Sequence, residues 1–225
     1  MAAEELVSVV VPCFNHGRFL EEVLSSIWAQ TYPNIEAVVV NDGSTDETET
    51  VAMSWLSRAY EGRRLTYLKL PGNCGYAWAA NIGFYISSGT FLAMNDADDI
   101  SLPTRLASQV SQLSADRCLM LLGTNYASFW HGEGEGREMA RWIQYGEAVR
   151  KSYERGVHCV CFGTAMMRRI LVEDTGGLNK LVVGSEDWEF VRRVVKAGHK
   201  VDNLPSVLYL YRRHPDQRTR IYHPD

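Results

Sequence analysis

Four short apolar runs, at residues 7–11, 35–40, 65–70 and 90–94, are separated by stretches of helical length. Continuous apolar runs of this size suit strands covered on both faces, the kind from which parallel sheets are built. After the first run, Phe19, Leu20, Val23, Leu24, Ile27 and Trp28 recur at helical spacing over residues 19–30, with Glu21, Glu22, Ser25 and Ser26 on the opposite side. A second helix should begin near Thr45 or Asp46, where Ser44, Thr45, Asp46 and Glu47 offer capping oxygens and first-turn negative charge. Strand and helix in alternation predict parallel βαβ units with right-handed crossovers. The regularity fades after Asn125: residues 131–136 (HGEGEG) read as an exposed loop, 157–167 as a strand, 187–197 as a helix and 207–211, beyond Pro205, as a last strand. The expectation is an open α/β sheet whose second part departs from simple winding.

A chain of 225 residues can bury one substantial core, and 46% hydrophobic with 22% charged residues excludes a disordered chain. The net charge of −4 gives no broad attraction to nucleic acid or anionic lipid, so an anionic ligand has to be held locally. Five scattered cysteines do not form a secreted disulfide framework and suit a reducing cytoplasm. The N-terminal MAAEEL lacks the basic start of a signal peptide, and no apolar run approaches the roughly 20 residues that span a bilayer. Work at a membrane would be peripheral, from its inner face.

In open α/β sheets ligands bind beyond the carboxyl ends of the strands. Polar clusters stand there three times: Pro12-Cys13-Phe14-Asn15, Asn41-Asp42-Gly43, and Asn95 with Asp96-Ala97-Asp98-Asp99. Three carboxylates in four residues repel one another unless a cation sits among them, and Mg²⁺ takes one or two carboxylates and completes its shell with water and phosphate. An isolated DxDD would equally suit a solvated turn before a helix starting near Leu102 or Pro103. Asn41-Asp42-Gly43-Ser44 also reads as a turn and helix cap, or else Asp42 accepts a hydrogen bond from a nucleobase imide. Glu186 and Asp187 open a helix, where acidic residues stabilise the N-terminus or serve as a general base. His158, Cys159 and Cys161 lack a second pair at structural-zinc spacing. The GEGEG loop lacks the context of a dinucleotide fingerprint. Trp28, Trp55, Trp78 and Trp142 are expected in packing, while Trp188 adjoins the candidate base.

Taken together, SVVVPCFN at 8–15, NDGSTDET at 41–48, NCGYAWAANIG at 73–83, NDADD at 95–99, GGLN with GSEDWEFVRR within 176–193, and YRRH at 211–214 resemble glycosyltransferase family 2. That resemblance implies the GT-A fold, a Rossmann-like open mixed sheet flanked by helices in a single domain. Residues from about 5 to 100 would bind the nucleotide sugar, and 101–225 the acceptor, with the base. Pro12, Phe14 and Asn15 would approach the nucleotide and Asp42 its base, with Asn73, Gly75 and Asn81 framing the donor. Asp96 and Asp98 would form the DxD motif on Mn²⁺ or Mg²⁺, Asp98 the closer metal contact and Asp96 also nearer the ribose; Asp99 would meet metal or donor sugar. Asp187 matches the catalytic base, Glu186 and Trp188 would lie against sugar or acceptor, His214 would reach the metal or diphosphate, and Arg212 or Arg213 the leaving group.

The implied reaction is inverting transfer from a nucleoside-diphosphate sugar, first a UDP-sugar, to a glycan, lipid-linked or small-molecule acceptor, as in polysaccharide biosynthesis. The Gln-x-x-Arg-Trp motif of processive members does not follow the ED segment, which favours single or limited addition. The end soon after YRRH suggests a catalytic domain cut from a longer protein. A nucleotidyltransferase would need basic groups for a triphosphate, and a non-catalytic sugar-nucleotide-binding domain would not need both acidic motifs.

Overall fold

The computed structural model describes residues 5–58, 63–132 and 136–218. The first half runs β1 (Val7–Cys13), α1 (Gly17–Trp28), β2 (Ile35–Asn41), α2 (Thr48–Leu56), β3 (Arg63–Lys69), α3 (Tyr76–Ile86) and β4 (Phe91–Met94). The second half adds β5 (Ile100–Ser101), α4 (Arg105–Ala115), β6 (Leu119–Trp130), β7 (Glu138–Met139), α5 (Glu147–Glu154), β8 (Met166–Arg168), α6 (Arg169–Thr175), α7 (Glu186–Lys196) and β9 (Lys200–Arg213). One mixed sheet has the order β3-β2-β1-β4-β8-β6-β9-β5, with β7 paired beside β6. The β3, β2, β1 and β4 pairings are parallel, whereas β8 runs antiparallel to both β4 and β6.

The two-residue period of β1 divides the core. Val7, Val9 and Val11 pack with Leu20, Leu24 and Ile27 of α1, Trp55 of α2 and Leu106 and Leu113 of α4. Val10 points the other way, with Ala77, Ala80 and Phe84 of α3, Tyr153 of α5 and Phe190 and Val194 of α7. Each buried side chain of this size contributes about 1.5–3 kcal/mol of transfer free energy, so both helix layers are held chiefly by these faces. Asp46 joins two helix starts: one oxygen accepts the Gly17 N–H at 2.8 Å and the other the Thr48 N–H at 3.0 Å. Those bonds place α2 slightly later than its capping residues suggest.

Two expectations need correction. Residues 157–167 are not a continuous strand: a 3-10 turn at Phe162–Thr164 interrupts them, and β8 starts only at Met166. The Cys159 carbonyl accepts from the Asn203 side chain at 3.0 Å, and the Thr164 hydroxyl donates to the Cys161 carbonyl at 2.7 Å, so side chains take the place of a strand ladder. The last strand is longer than residues 207–211 because β9 continues through Pro205. Its pairing with β6 skips from Leu204 to Val207, and the irregularity accommodates a residue that has no N–H to give. Within the HGEGEG loop, His131, Gly132 and Gly136 are exposed, and residues 133–135 lie outside the described residues. No helix among the described residues is long and apolar enough to cross a membrane.

Candidate active site

The carboxyl ends of β1, β2 and β4 border a cavity of about 1370 Å³ whose lining also includes the first turn of α7. Pro12, Phe14 and Asn15 line it from the β1 side. Asn15 adopts a left-handed φ of 53°, tolerated by asparagine. Its N–H donates to the Ser44 hydroxyl at 2.9 Å, and its side-chain oxygen accepts the Thr45 N–H at 2.9 Å. Asp42, buried at the end of β2, accepts the Cys74 N–H at 2.7 Å and the Gly75 N–H at 2.8 Å, one on each oxygen. The Gly75 φ of 97° selects glycine by conformation, because a Cβ there would meet open space. Asn73 is exposed to the cavity beside it.

The acidic segment after β4 is tied down from several directions. Asp96 lines the cavity and accepts the Tyr76 hydroxyl at 3.1 Å, while its N–H donates to the Tyr209 hydroxyl at 3.0 Å. Gly163 passes so close that a Cβ would stand 2.5 Å from an Asp96 oxygen. Burial and then the charge of Asp98 push Asp96 up to about 7. Asp98 places one oxygen 2.9 Å from His214 Nε2 and 3.9 Å from His16 Nε2. Donor atoms of these three residues all lie within 4.8 Å of one another, and two imidazoles with one carboxylate fit a divalent first-row cation. Burial lowers the pKa of His16 against the pull of Asp98, which favours the neutral, ligating form. His16 has no counterpart among the sequence expectations; only its position after Asn15 brings it to Asp98.

Three expected residues are placed elsewhere. Asn81 does not line the cavity: its amide donates to the Leu178 carbonyl and accepts the Leu178 N–H, both at 2.8 Å, binding α3 to the GGLN segment. Asp99 is buried behind the wall, accepting the Arg212 N–H at 2.7 Å, and burial followed by the charges of Asp98 and Asp96 pushes it well above the carboxylate range. Arg212 is buried between the Phe19 and Phe129 rings, 4.8 Å from each centroid. It donates to the Asp98 carbonyl and to Glu22, both at 2.6 Å, and so clamps the acidic segment from outside the cavity. Arg18 is the cation that lines the cavity near His214, with its guanidinium 3.4 Å from Nδ1 and paired with Asp216 at 2.7 Å.

Across the cavity, Ser185 precedes α7 and Glu186, Asp187 and Glu189 fill its first turn, where the helix dipole favours negative charge. Glu186 is buried and pairs with Arg218. One Asp187 oxygen accepts the Trp188 N–H at 2.8 Å, and the other lies 3.3 Å from His158 Nε2. The far nitrogen of His158 meets the Tyr153 hydroxyl at 2.8 Å. Burial pulls the Asp187 pKa up, but His158 and the backbone N–H groups at the helix start together outweigh it, and the net shift is downward. Sequence reasoning weighs His158 only as a zinc ligand and not beside Asp187, because α5, α7 and the 157–161 segment meet only through tertiary packing. Trp78 and Trp142, expected in packing, are both more than a third exposed and line the cavity.

The family model for glycosyl transferase family 2 matches residues 8–176. A Haemophilus influenzae protein described as an uncharacterized glycosyltransferase is 29% identical over 96% of this chain and 68% of its own length. EpsE of Bacillus subtilis, described as a putative glycosyltransferase, is 28% identical over 93% of this chain and 74% of its own. RP339 of Rickettsia prowazekii, described as an uncharacterized glycosyltransferase, is 39% identical, but the match covers only 48% of this chain and 32% of that protein. Among solved structures, S. aureus TarS with UDP-GlcNAc superposes with a TM-score of 0.74 at 19% identity, over 95% of this chain and 60% of that one. The mannosyltransferase PcManGT of Pyrobaculum calidifontis, with GDP-Man and Mn²⁺, gives 0.72 at 22% identity, over 98% and 60%. These likenesses establish the GT-A fold, and with the family match they place the chain in glycosyltransferase family 2.

Proposed function

We propose that this chain transfers a sugar from a nucleoside-diphosphate sugar, with a UDP-sugar as first choice, to an acceptor hydroxyl with inversion at the anomeric carbon. The observation that carries the reading is one cavity bordered by Asp96 and Asp98 and also by Asp187 with His158. Donors bound to the neighbours, UDP-GlcNAc in TarS and GDP-Man in PcManGT, support a nucleotide sugar on the β1–β4 side. There Phe14 offers a ring face, and Asp42 holds the 72–75 loop while keeping lone pairs for a base imide.

Asp187 takes the proton from the acceptor hydroxyl as that oxygen bonds to the anomeric carbon from the face opposite the diphosphate. The carbon–oxygen bond to the diphosphate breaks, and the nucleoside diphosphate leaves with the electron pair. Asp98 and His214, with His16 beside them, would hold Mn²⁺, which imidazole suits better than Mg²⁺ and which when bound supplies neutralising charge for the diphosphate. Arg18, paired with Asp216 as Arg212 is with Glu22, lines the cavity on that side and would meet the diphosphate in the part expected of Arg212. The acceptor belongs on the α7 side, in a glycan, lipid-linked or small-molecule setting.

A thermal-shift screen of UDP-, GDP- and dTDP-sugars with Mn²⁺ or Mg²⁺, followed by NMR of the product's anomeric configuration, tests the reading. Stabilisation by a UDP-sugar and an inverted product are expected. A retained configuration, or pyrophosphate release from a nucleoside triphosphate, would overturn it.

A further inference from the structure

Trp142 lies between β7 and α5, lines the cavity and is 39% exposed. Its indole N–H donates to the Tyr126 hydroxyl at 2.9 Å, so its single polar atom is engaged and its orientation is fixed. The Tyr126 and Tyr211 rings are 5.4 Å apart between centroids, tilted by 46°. Beyond Trp142 comes His158, with rings 5.5 Å apart and tilted by 31°, and His158 reaches Asp187 at 3.3 Å. Four rings thus form a continuous wall that ends on the candidate base.

We propose that this wall is the acceptor subsite and that the acceptor is a saccharide, with a pyranose ring lying against the Trp142 indole. The proposal rests on the transfer reading above and adds the class of acceptor. A pyranose has an apolar C–H face and a rim of hydroxyls. The indole offers apolar aromatic surface, and the adjoining imidazole and carboxylate offer partners for the rim. That pairing brings a rim hydroxyl to Asp187. A lipid chain would leave those polar groups unmatched, and a lipid phosphate would face Asp187 and Glu186 with Arg218 already paired to Glu186. A serine or threonine hydroxyl brings no flat apolar face. Trp78, also exposed in the cavity, differs because Lys180 Nζ sits 4.2 Å from its ring centroid.

The test uses wild type, Trp142→Ala and Trp142→Phe, each titrated with methyl glycosides of glucose, galactose, mannose and N-acetylglucosamine in the presence of UDP and Mn²⁺. Wild-type tryptophan fluorescence should change with at least one glycoside, and Trp142→Ala should lose that change. In the transfer assay Trp142→Ala should raise the KM of that glycoside roughly tenfold, about the effect of one aromatic contact. Its UDP affinity should stay near wild type, and Trp142→Phe should recover part of the KM. Unchanged wild-type fluorescence with all four glycosides, or an unchanged acceptor KM in Trp142→Ala, overturns the proposal. If wild type binds none of the nucleotide sugars, the transfer reading itself fails, and that result is separate from the acceptor arms.

Discussion

Removing the His158 imidazole should leave the Asp187 carboxylate less well held and raise the pH at which it takes up its proton. The nitrogen facing a carboxylate has to carry the proton, so Nε2–H donates to Asp187 and Nδ1 accepts from Tyr153. A hydrogen bond to a charged group is worth about 1.5–3 kcal/mol when buried. Here the two side chains are 28% and 34% exposed, and solvent screening reduces that to about 1 kcal/mol. At about 1.4 kcal/mol per factor of ten, the positioning lost in His158→Ala should lower kcat/KM roughly fivefold at neutral pH. The sign of the pH effect follows from the causes acting on Asp187: burial raises its pKa, and His158 is the foremost of the contacts that lower it. Without His158 the carboxylate takes up its proton at higher pH, so the acidic limb of the kcat/KM profile moves upward. The depressed pKa also adds stability above the ordinary aspartate range, which is lost as pH falls through the folded value. Initial rates across pH, with folding checked by UDP affinity, measure the effect, and His158→Gln should recover part of the rate by donating to the same oxygen. An acidic limb that stays in place in folded His158→Ala refutes the reasoning.

Asp98→Ala should abolish the Mn²⁺-dependent part of UDP affinity in calorimetry while the melting curve stays cooperative; unchanged metal-dependent affinity removes Asp98 from the metal site. Asp42→Ala frees the Cys74 and Gly75 N–H groups and should weaken UDP binding roughly tenfold, as expected for loss of charge-assisted bonds that order a loop. Arg212→Met should cost about 2–3 kcal/mol in urea unfolding, mainly from the bond to the Asp98 carbonyl, because Glu22 is exposed enough to return to water.

β1, β2 and β4 were legible because strands buried on both faces read as unbroken apolar runs. β3 was blurred by register: it is the edge strand, with alternating exposure and Arg63 and Arg64 at its start, so its apolar residues mark it two positions late. β6 escaped notice because Thr124, Asn125 and Ser128 are polar yet buried, paired through their neighbours instead of water. For the candidate site, the motif order located Asp42, Asp96, Asp98 and Asp187 on one cavity. It did not separate the residues that face the cavity from those that brace it, such as Asn81, Asp99 and Arg212. Nor did it find His16, the approach of His158 to Asp187 or the exposure of Trp142, since each depends on which distant segment packs beside it.

The central claim is that Asp187 removes the acceptor proton across the cavity from the donor. Asp187→Asn keeps the size and a hydrogen-bonding oxygen but removes the base. The decisive measurement is the transfer rate of this variant at saturating donor and acceptor, alongside its UDP affinity. The account predicts a fall in kcat of roughly 10²–10⁴-fold with nearly unchanged UDP affinity. Near-normal transfer by the folded variant would contradict it and move the test to Glu186.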